Sequence, residues 1–92
     1  MNIKERRILM IECVIKVSPS FDVSSAALLV QEASRFRSYV SLVLGEKTAN
    51  AKSIMGIISL SINNDDTVKI IANGEDEEEA LHVIMNFLGE KK

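Results

Sequence analysis

Few side chains in this chain are placed to do chemistry, and the most telling of them is a serine. In the run Asn50-Ala51-Lys52-Ser53-Ile54-Met55-Gly56-Ile57-Ile58-Ser59-Leu60, Ser53 stands directly before an apolar stretch, with a lysine ahead of it and a glycine inside the stretch. A serine in that position reads as the N-cap of a helix. The first turn of a helix carries unpaired N–H groups and the positive end of the macrodipole, so negative charge is stabilised there. A phosphoryl group on the Ser53 hydroxyl would therefore be favoured and not merely tolerated. Lys52 reads as a solvated charge or as a cation that helps neutralise such a group. A short helix cannot bury all of Ile54, Met55, Ile57 and Ile58, so some of them are expected to face a partner, with core packing as the plainer alternative.

The other candidates read more simply. Asp22 is a favoured helix N-cap, followed by Val23, Ala26, Ala27, Val30 and Ala33 at helical spacing, with Leu28 and Leu29 widening the stripe. Cys13 falls on the apolar face of an alternating stretch and is expected to act as a small hydrophobe. As the only cysteine it allows no internal disulfide and no cysteine-rich metal site. His82, the only histidine, is expected on an exposed face of the last helix. Glu75 to Glu79 reads as a solvated acidic helix start, with Asp76 and Glu79 placed as N-cap and N3 of a capping box. There is no paired-carboxylate pattern, no metal-ligand cluster and no phosphate-cradling glycine loop, and Gly56 alone makes no P-loop. Catalysis, a metal and a cofactor are therefore not expected.

The elements that must position these residues follow from periodicity. Ile11, Cys13, Ile15 and Val17 alternate with Glu12 and Lys16, as in a strand with one buried face, and Pro19 ends it. The helix opened by Asp22 should end near Arg35. Tyr39 to Leu44 and Lys47 to Asn50 form a hairpin about Gly45-Glu46, the short helix after Ser53 follows, and Asn63 to Asp66 turns the chain. Thr67 to Ala72 gives a fourth strand, Asn73-Gly74 a turn, and a last helix buries Ala80, Leu81, Ile84, Phe87 and Leu88 before Gly89. The order is β-α-β-β-α-β-α, an α+β arrangement with helices covering one face of an antiparallel sheet.

Composition limits the partners. The 92 residues suit one domain, expected over 8–92, with residues 1–7 as a loose extension. Aromatic residues make up only 4% with no Trp, which argues against base-stacking platforms. A net charge of −2 gives no drive toward phosphate backbones or anionic membranes, so neither nucleic acid nor a membrane is an expected partner. The apolar stretch Ile8 to Val17 is too short to span a bilayer and carries Glu12 and Lys16. No export signal is legible, so a cytoplasmic setting is expected.

The segments Ala26-Ala27-Leu28-Leu29-Val30-Gln31-Glu32-Ala33, Arg35-Phe36, Asn50 to Gly56, and Gly74-Glu75-Asp76-Glu77 with Glu79-Ala80-Leu81 together resemble the HPr family. These are the small phosphocarriers of the bacterial sugar phosphotransferase system. The chain is still more similar to the family's regulatory, HPr-like Crh branch. The resemblance runs from Ile8 to Leu88 and implies an open-faced β-sandwich, four antiparallel strands with three helices on one face.

The departures are as informative as the match. The family carries its phosphoryl group on a histidine that caps the first helix, followed closely by arginine and proline. Here Asp22 stands at the histidine's place, Ser24 at the arginine's and Ser25 at the proline's. Imidazole accepts and passes on phosphate because its nitrogen is nucleophilic near neutral pH. An aspartate could form an acyl phosphate, but such sites usually need a metal and further acidic groups, which are not seen beside Asp22, and the missing arginine removes a phosphate partner. Phosphorelay is therefore not expected. Asp22 reads as an N-cap, with a fixed charge imitating phosphohistidine and an acyl-phosphate acceptor as the alternatives. The resemblance further implies that HPr kinase/phosphorylase phosphorylates Ser53 and that the phosphoserine form binds a catabolite-control transcriptional regulator in carbon catabolite repression. Ile54, Met55 and Ile58, with Lys52 and Phe21, would form the partner face. The family's arginine joins that regulator contact, and Ser24 cannot replace it. The alternatives are a phosphocarrier and a diverged paralogue with neither modification. The short Ser18-Pro19-Ser20-Phe21 connection leaves a monomer or a strand-exchanged homodimer as the expected states.

Overall fold

The computed structural model describes residues 10–89, so the extension expected at 1–7 lies outside the described residues. Strand periodicity builds the sheet. Strands β1 (Ile11–Lys16), β2 (Tyr39–Leu44), β3 (Lys47–Asn50) and β4 (Thr67–Asn73) pair antiparallel in the order β1-β4-β2-β3. Central β4 sets the register: Ile70 lies opposite Cys13 of β1 on one side and Leu42 of β2 on the other. Period-two alternation then sends Val68, Ile70 and Ala72 to the same buried face as Val40 and Leu42.

Three helices cover that face: α1 (Val23–Ser34), α2 (Ile54–Leu60) and α3 (Glu77–Leu88). The element order and layering are those expected from the sequence. Each helix commits a narrow stripe to the core: Ala26, Leu29 and Ala33 from α1, Ile57 and Leu60 from α2, Ala80, Ile84 and Leu88 from α3. The stripe of α1 is narrower than its composition suggests. Val23 and Ala27, expected inside, are exposed, Val23 at 79%, and Leu28 is 52% exposed. One row of small and branched residues already fills the space above the sheet, so the flanking apolar residues of α1 stay outside. Leu81 and Phe87 are half-buried flanks of the α3 stripe.

The start of α3 departs from expectation, and the reason is electrostatic. Asp76 is the N-cap by position, yet its side chain makes no cap hydrogen bond and no box with Glu79 forms. Its carboxylate reaches instead to the entry of β2. Oδ1 accepts from the Ser38 hydroxyl at 2.5 Å and the Ser38 N–H at 2.9 Å, and Oδ2 accepts from the Arg37 N–H at 2.9 Å. Ser38 is buried, and its polar groups would be costly to leave unpaired. Those three donors outcompete the amides at the start of the helix. Glu77, expected in solvent with its acidic neighbours, is buried, and its carboxylate accepts from the Gly74 N–H at 3.0 Å. Gly74 itself has φ +153°, and a Cβ there would lie 2.6 Å from Ser38 Oγ. Only glycine fits this corner without displacing Ser38.

The Ser38 hydroxyl, followed by the Arg37 amide, holds the Asp76 carboxyl down at about 2 from an ordinary 3.8. A folded value below the unfolded one means that the stabilisation is complete above about pH 4 and is lost as pH falls through the folded value. Asp76→Asn is expected to melt several degrees lower at neutral pH and to show a flatter decline than the parent chain between about pH 4 and 2. Circular dichroism melts across that range measure both effects.

Candidate functional site

The turn before α2 is built by side chains that stand in for backbone. The Asn50 carboxamide oxygen accepts the Lys52 N–H at 2.8 Å, and the Ser53 N–H donates to the Asn50 carbonyl at 3.0 Å. Ala51 is fully buried and its N–H donates to the Val40 carbonyl at 2.8 Å, so the turn is pinned to the sheet. Ser53 then caps α2 from an extended backbone (φ −112°, ψ 113°), its Oγ accepting the Gly56 N–H at 3.0 Å. It is half-buried, in the wall of a shallow groove that it shares with Lys47, Thr48 and Ser59.

Gly56 contributes more to this geometry than the sequence disclosed. A Cβ at Gly56 would lie 3.3 Å from Ser53 Oγ and 3.4 Å from the Ala49 Cβ. Glycine at N3 therefore donates to the hydroxyl without crowding it. Its position three residues after the serine was the available signal. Lys52, by contrast, is committed elsewhere: its Nζ donates to the Phe36 carbonyl at 2.7 Å. That carbonyl lies just past the C-terminal end of α1, where a cation is favoured.

On the same helix Ile54 is 38% exposed, Met55 70% and Ile58 50%, while Ile57 and Leu60 are buried. The expectation that α2 could not bury its whole apolar run is met. Phe21 is half-buried, and with Val23 and Ile58 it lines a groove of about 270 Å³ between the start of α1 and the end of α2. The residues proposed for docking therefore divide: Phe21 and Ile58 meet beside Asp22, whereas Ser53 opens onto the other groove.

Asp22 caps α1 through a capping box with Ser25 that the sequence reading did not foresee. Its Oδ1 accepts from the Ser24 hydroxyl at 2.7 Å, the Ser25 N–H at 3.1 Å and the Ser25 hydroxyl at 3.1 Å, and the Ser25 hydroxyl accepts the Asp22 N–H at 3.2 Å. The Ser24 hydroxyl first, and then the Ser25 groups, hold the carboxyl below the usual carboxylate range. The group is thus a fixed anion whose Oδ1 lone pairs are all engaged. Ser24 and Ser25, which stand at the places of the family's arginine and proline, are both partners of this carboxylate. Cys13 is half-buried and its thiol is pushed up by burial, as befits a packed hydrophobe, and His82 is exposed. Among the described residues no helix is long and apolar enough to cross a membrane.

The family described as the PTS HPr component phosphorylation site matches residues 11–90, from β1 through the end of α3. The chain belongs to the HPr family. Within the HPr family it is Crh-like: the HPr-like protein Crh of Bacillus subtilis is 43% identical over 77 residues, which cover 84% of this chain and 91% of that protein. The crystal structure of the phosphocarrier protein HPr from Bacillus anthracis superposes with a TM-score of 0.82 at 40% identity, covering 86% of this chain and 96% of that one. The Bacillus subtilis Crh crystal structure, described as a dimer with a swapped domain, matches with a TM-score of 0.68 at 45% identity over 79% of this chain and 82% of that one. The four-stranded sheet and three helices are therefore the HPr fold.

If the Ser53 hydroxyl holds the first turn of α2, removing it should cost about 1 kcal/mol. Ser53→Ala is expected to unfold at lower urea concentration by that amount, while Ser53→Asn, which can still cap, remains close to the parent. Equilibrium urea unfolding followed by circular dichroism measures the difference.

Proposed function

We propose that this chain is a regulatory, Crh-like member of the HPr family that receives a phosphoryl group on Ser53 from HPr kinase/phosphorylase. In that form it binds a catabolite-control transcriptional regulator and takes part in carbon catabolite regulation. It acts as a binding protein and not as an enzyme. The observation that carries the reading is the pairing of an accessible cap hydroxyl with exposed apolar residues on the same short helix: Ser53 beside Ile54 and Met55, with Ile58 one turn on. A phosphate there would meet the amides of the first turn and remain open to basic side chains of a partner. The apolar residues would supply the desolvated contact area that a charged group alone does not.

The phosphocarrier reading fares worse for a chemical reason. The family's accepting position holds Asp22, a carboxylate whose Oδ1 accepts from Ser24 and Ser25, with no arginine beside it in the sequence. A relay needs a nucleophile that both takes and releases the phosphoryl group; an aspartate doing so usually needs a metal and further acidic groups, and among the described residues no cluster that could hold a metal stands beside Asp22. The change from arginine to Ser24 also implies that the regulator contact differs from the family's pattern.

Two incubations test the reading. With ATP and HPr kinase/phosphorylase, intact mass is expected to rise by one phosphoryl group, mapped to Ser53 and absent in Ser53→Ala. With phosphoenolpyruvate and the first enzyme of the sugar phosphotransferase system, no acid-labile gain is expected. Labelling in the second reaction, or none in the first, would overturn the proposal.

A second copy of the chain is a further proposed partner. The swapped dimer of the Bacillus subtilis relative supports exchange of β1 about the short Ser18–Phe21 connection. In the folded chain that connection is clamped at one end, where the Val17 N–H donates to the Asp66 carbonyl and the Ser18 N–H to the Leu88 carbonyl, both at 2.8 Å. Exchange preserves such bonds between copies, so dimer and monomer should interconvert slowly. Sedimentation of samples concentrated and then diluted is expected to show both species persisting for hours, and a monomer at every concentration would remove this part of the proposal.

A further inference from the structure

At the end of β4 the chain passes through Asn73 and Gly74, and the buried carboxylate of Glu77 turns back to meet them. An asparagine followed by glycine is the least hindered setting for attack of a backbone nitrogen on a side-chain amide, because no Cβ shields that nitrogen. The corner opposes this attack. The Gly74 N–H donates to Glu77 Oε1 at 3.0 Å, so the nitrogen that would attack is held as a donor. The Glu77 N–H donates in return to the Gly74 carbonyl at 3.3 Å, so both backbone groups of Gly74 are bound to one residue. Asn73 lies opposite Tyr39 of β2, and its strand backbone must rotate before a five-membered ring can close. Rotation is blocked next door, where a Cβ at Gly74 would lie 2.6 Å from Ser38 Oγ and 2.7 Å from Ser38 Cα. Ser38 is itself held by Asp76. A negative charge beside the Gly74 amide also disfavours the nitrogen anion that attack requires, and a carboxylate is too weak a base to remove an amide proton.

We propose that Asn73-Gly74 is a deamidation site that the folded corner keeps closed through Glu77. When the corner opens, solvent hydroxide takes the Gly74 amide proton and the nitrogen attacks Asn73 Cγ. The bond from Cγ to the side-chain nitrogen breaks, and that nitrogen leaves as ammonia with a proton from water. The resulting succinimide adds water at either carbonyl, which leaves aspartate or isoaspartate at position 73. Either product places a new carboxylate beside Glu75, Asp76 and Glu77, and isoaspartate also lengthens the backbone at the end of β4. Both weaken the corner that Asp76 clamps, so the modification accumulates in chains that have opened there. The inference gives the buried Glu77 a protective role and does not depend on any modification of Ser53.

The test ages the full chain in warm, mildly alkaline buffer and maps deamidation by rapid tryptic digestion and mass spectrometry. Fragment ions of the peptide Ile70–Lys91 separate Asn73 from Asn86, and an isoaspartate-specific methyltransferase counts the rerouted product. Asn73 is expected to deamidate at least about tenfold faster in guanidinium chloride than in the folded chain. Glu77→Ala removes the acceptor, and while circular dichroism still shows it folded it is expected to deamidate about fivefold faster than the parent. Glu77→Gln keeps an acceptor oxygen and is expected to stay within about twofold of the parent. Equal rates in the folded and denatured parent, a folded Glu77→Ala no faster than the parent, or a Glu77→Gln as fast as Glu77→Ala would each overturn the proposal. Hydrogen exchange of the parent decides the matter if Glu77→Ala does not fold. The Gly74 amide is expected among the protected amides, and exchange at the rate of an open chain would overturn the proposal equally.

Discussion

A helix of seven residues has room for one narrow buried row, and in α2 that row is Ile57 and Leu60. The run it must accommodate contains more apolar side chains than the row can hold. Ile54, Met55 and Ile58 are therefore left facing outward by geometry, whatever else the fold does. The helix cannot rotate to hide them, because Ala51 and the Asn50 turn fix its start to the sheet and Ser53 fixes its first amides. The neighbouring α1 repeats the pattern, with Val23 and Leu28 outside a filled row. Exposed apolar area on two adjacent helices is thus a consequence of how little sheet there is to cover, and it supplies the material for a docking face.

Three acidic or hydroxyl side chains stand at three helix starts and do three different things. Ser53 accepts one amide and stays accessible. Asp22 accepts from its own helix and from two serine hydroxyls, which fixes a negative charge at the surface. Asp76 turns away from its helix and ties α3 to the corner between α1 and β2. The difference follows from what each oxygen finds within reach. Where a buried hydroxyl and two unpaired amides lie close, the carboxylate takes them, since leaving them unpaired costs more than a missing helix cap. Where only the helix amides and neighbouring serines are present, the side chain caps.

This competition also explains which parts were legible in the sequence. The strands were readable because alternation along Ile11 to Val17 and Thr67 to Ala72 is a local signal, and local pairing partners do not alter it. Asp22 and Ser53 were readable as caps because their acceptors are three residues away. The role of Asp76 was not, because its partner Ser38 lies 38 positions away at the entry of β2. The same holds for Lys52, whose ammonium finds the Phe36 carbonyl only once α1 and α2 are packed. Val23 misled for another reason: helical periodicity gives the face of a helix but not the width of the row its neighbours leave open. At the site, the position of the serine and its apolar followers was legible, while the division of the docking residues between two grooves depends on tertiary packing.

The substitution at position 22 changes more than one reaction. A histidine there would be a group that alternates between neutral, protonated and phosphorylated forms, and a surface around it would have to tolerate changes of charge. Aspartate tied to Ser24 and Ser25 has one charge state across the physiological range. A surface built around a constant anion would not change charge with phosphoryl flow. Variable charge is then left to the other end, at Ser53, where an added dianion would lie beside Ile54 and Met55. The two ends share the exposed side of α2 but line different grooves. A partner that covers both would sense modification at one end while its orientation is set at the other. Such a division of labour suits a regulator whose binding must be switched, and it is of no use to a carrier that must hand its phosphoryl group onward.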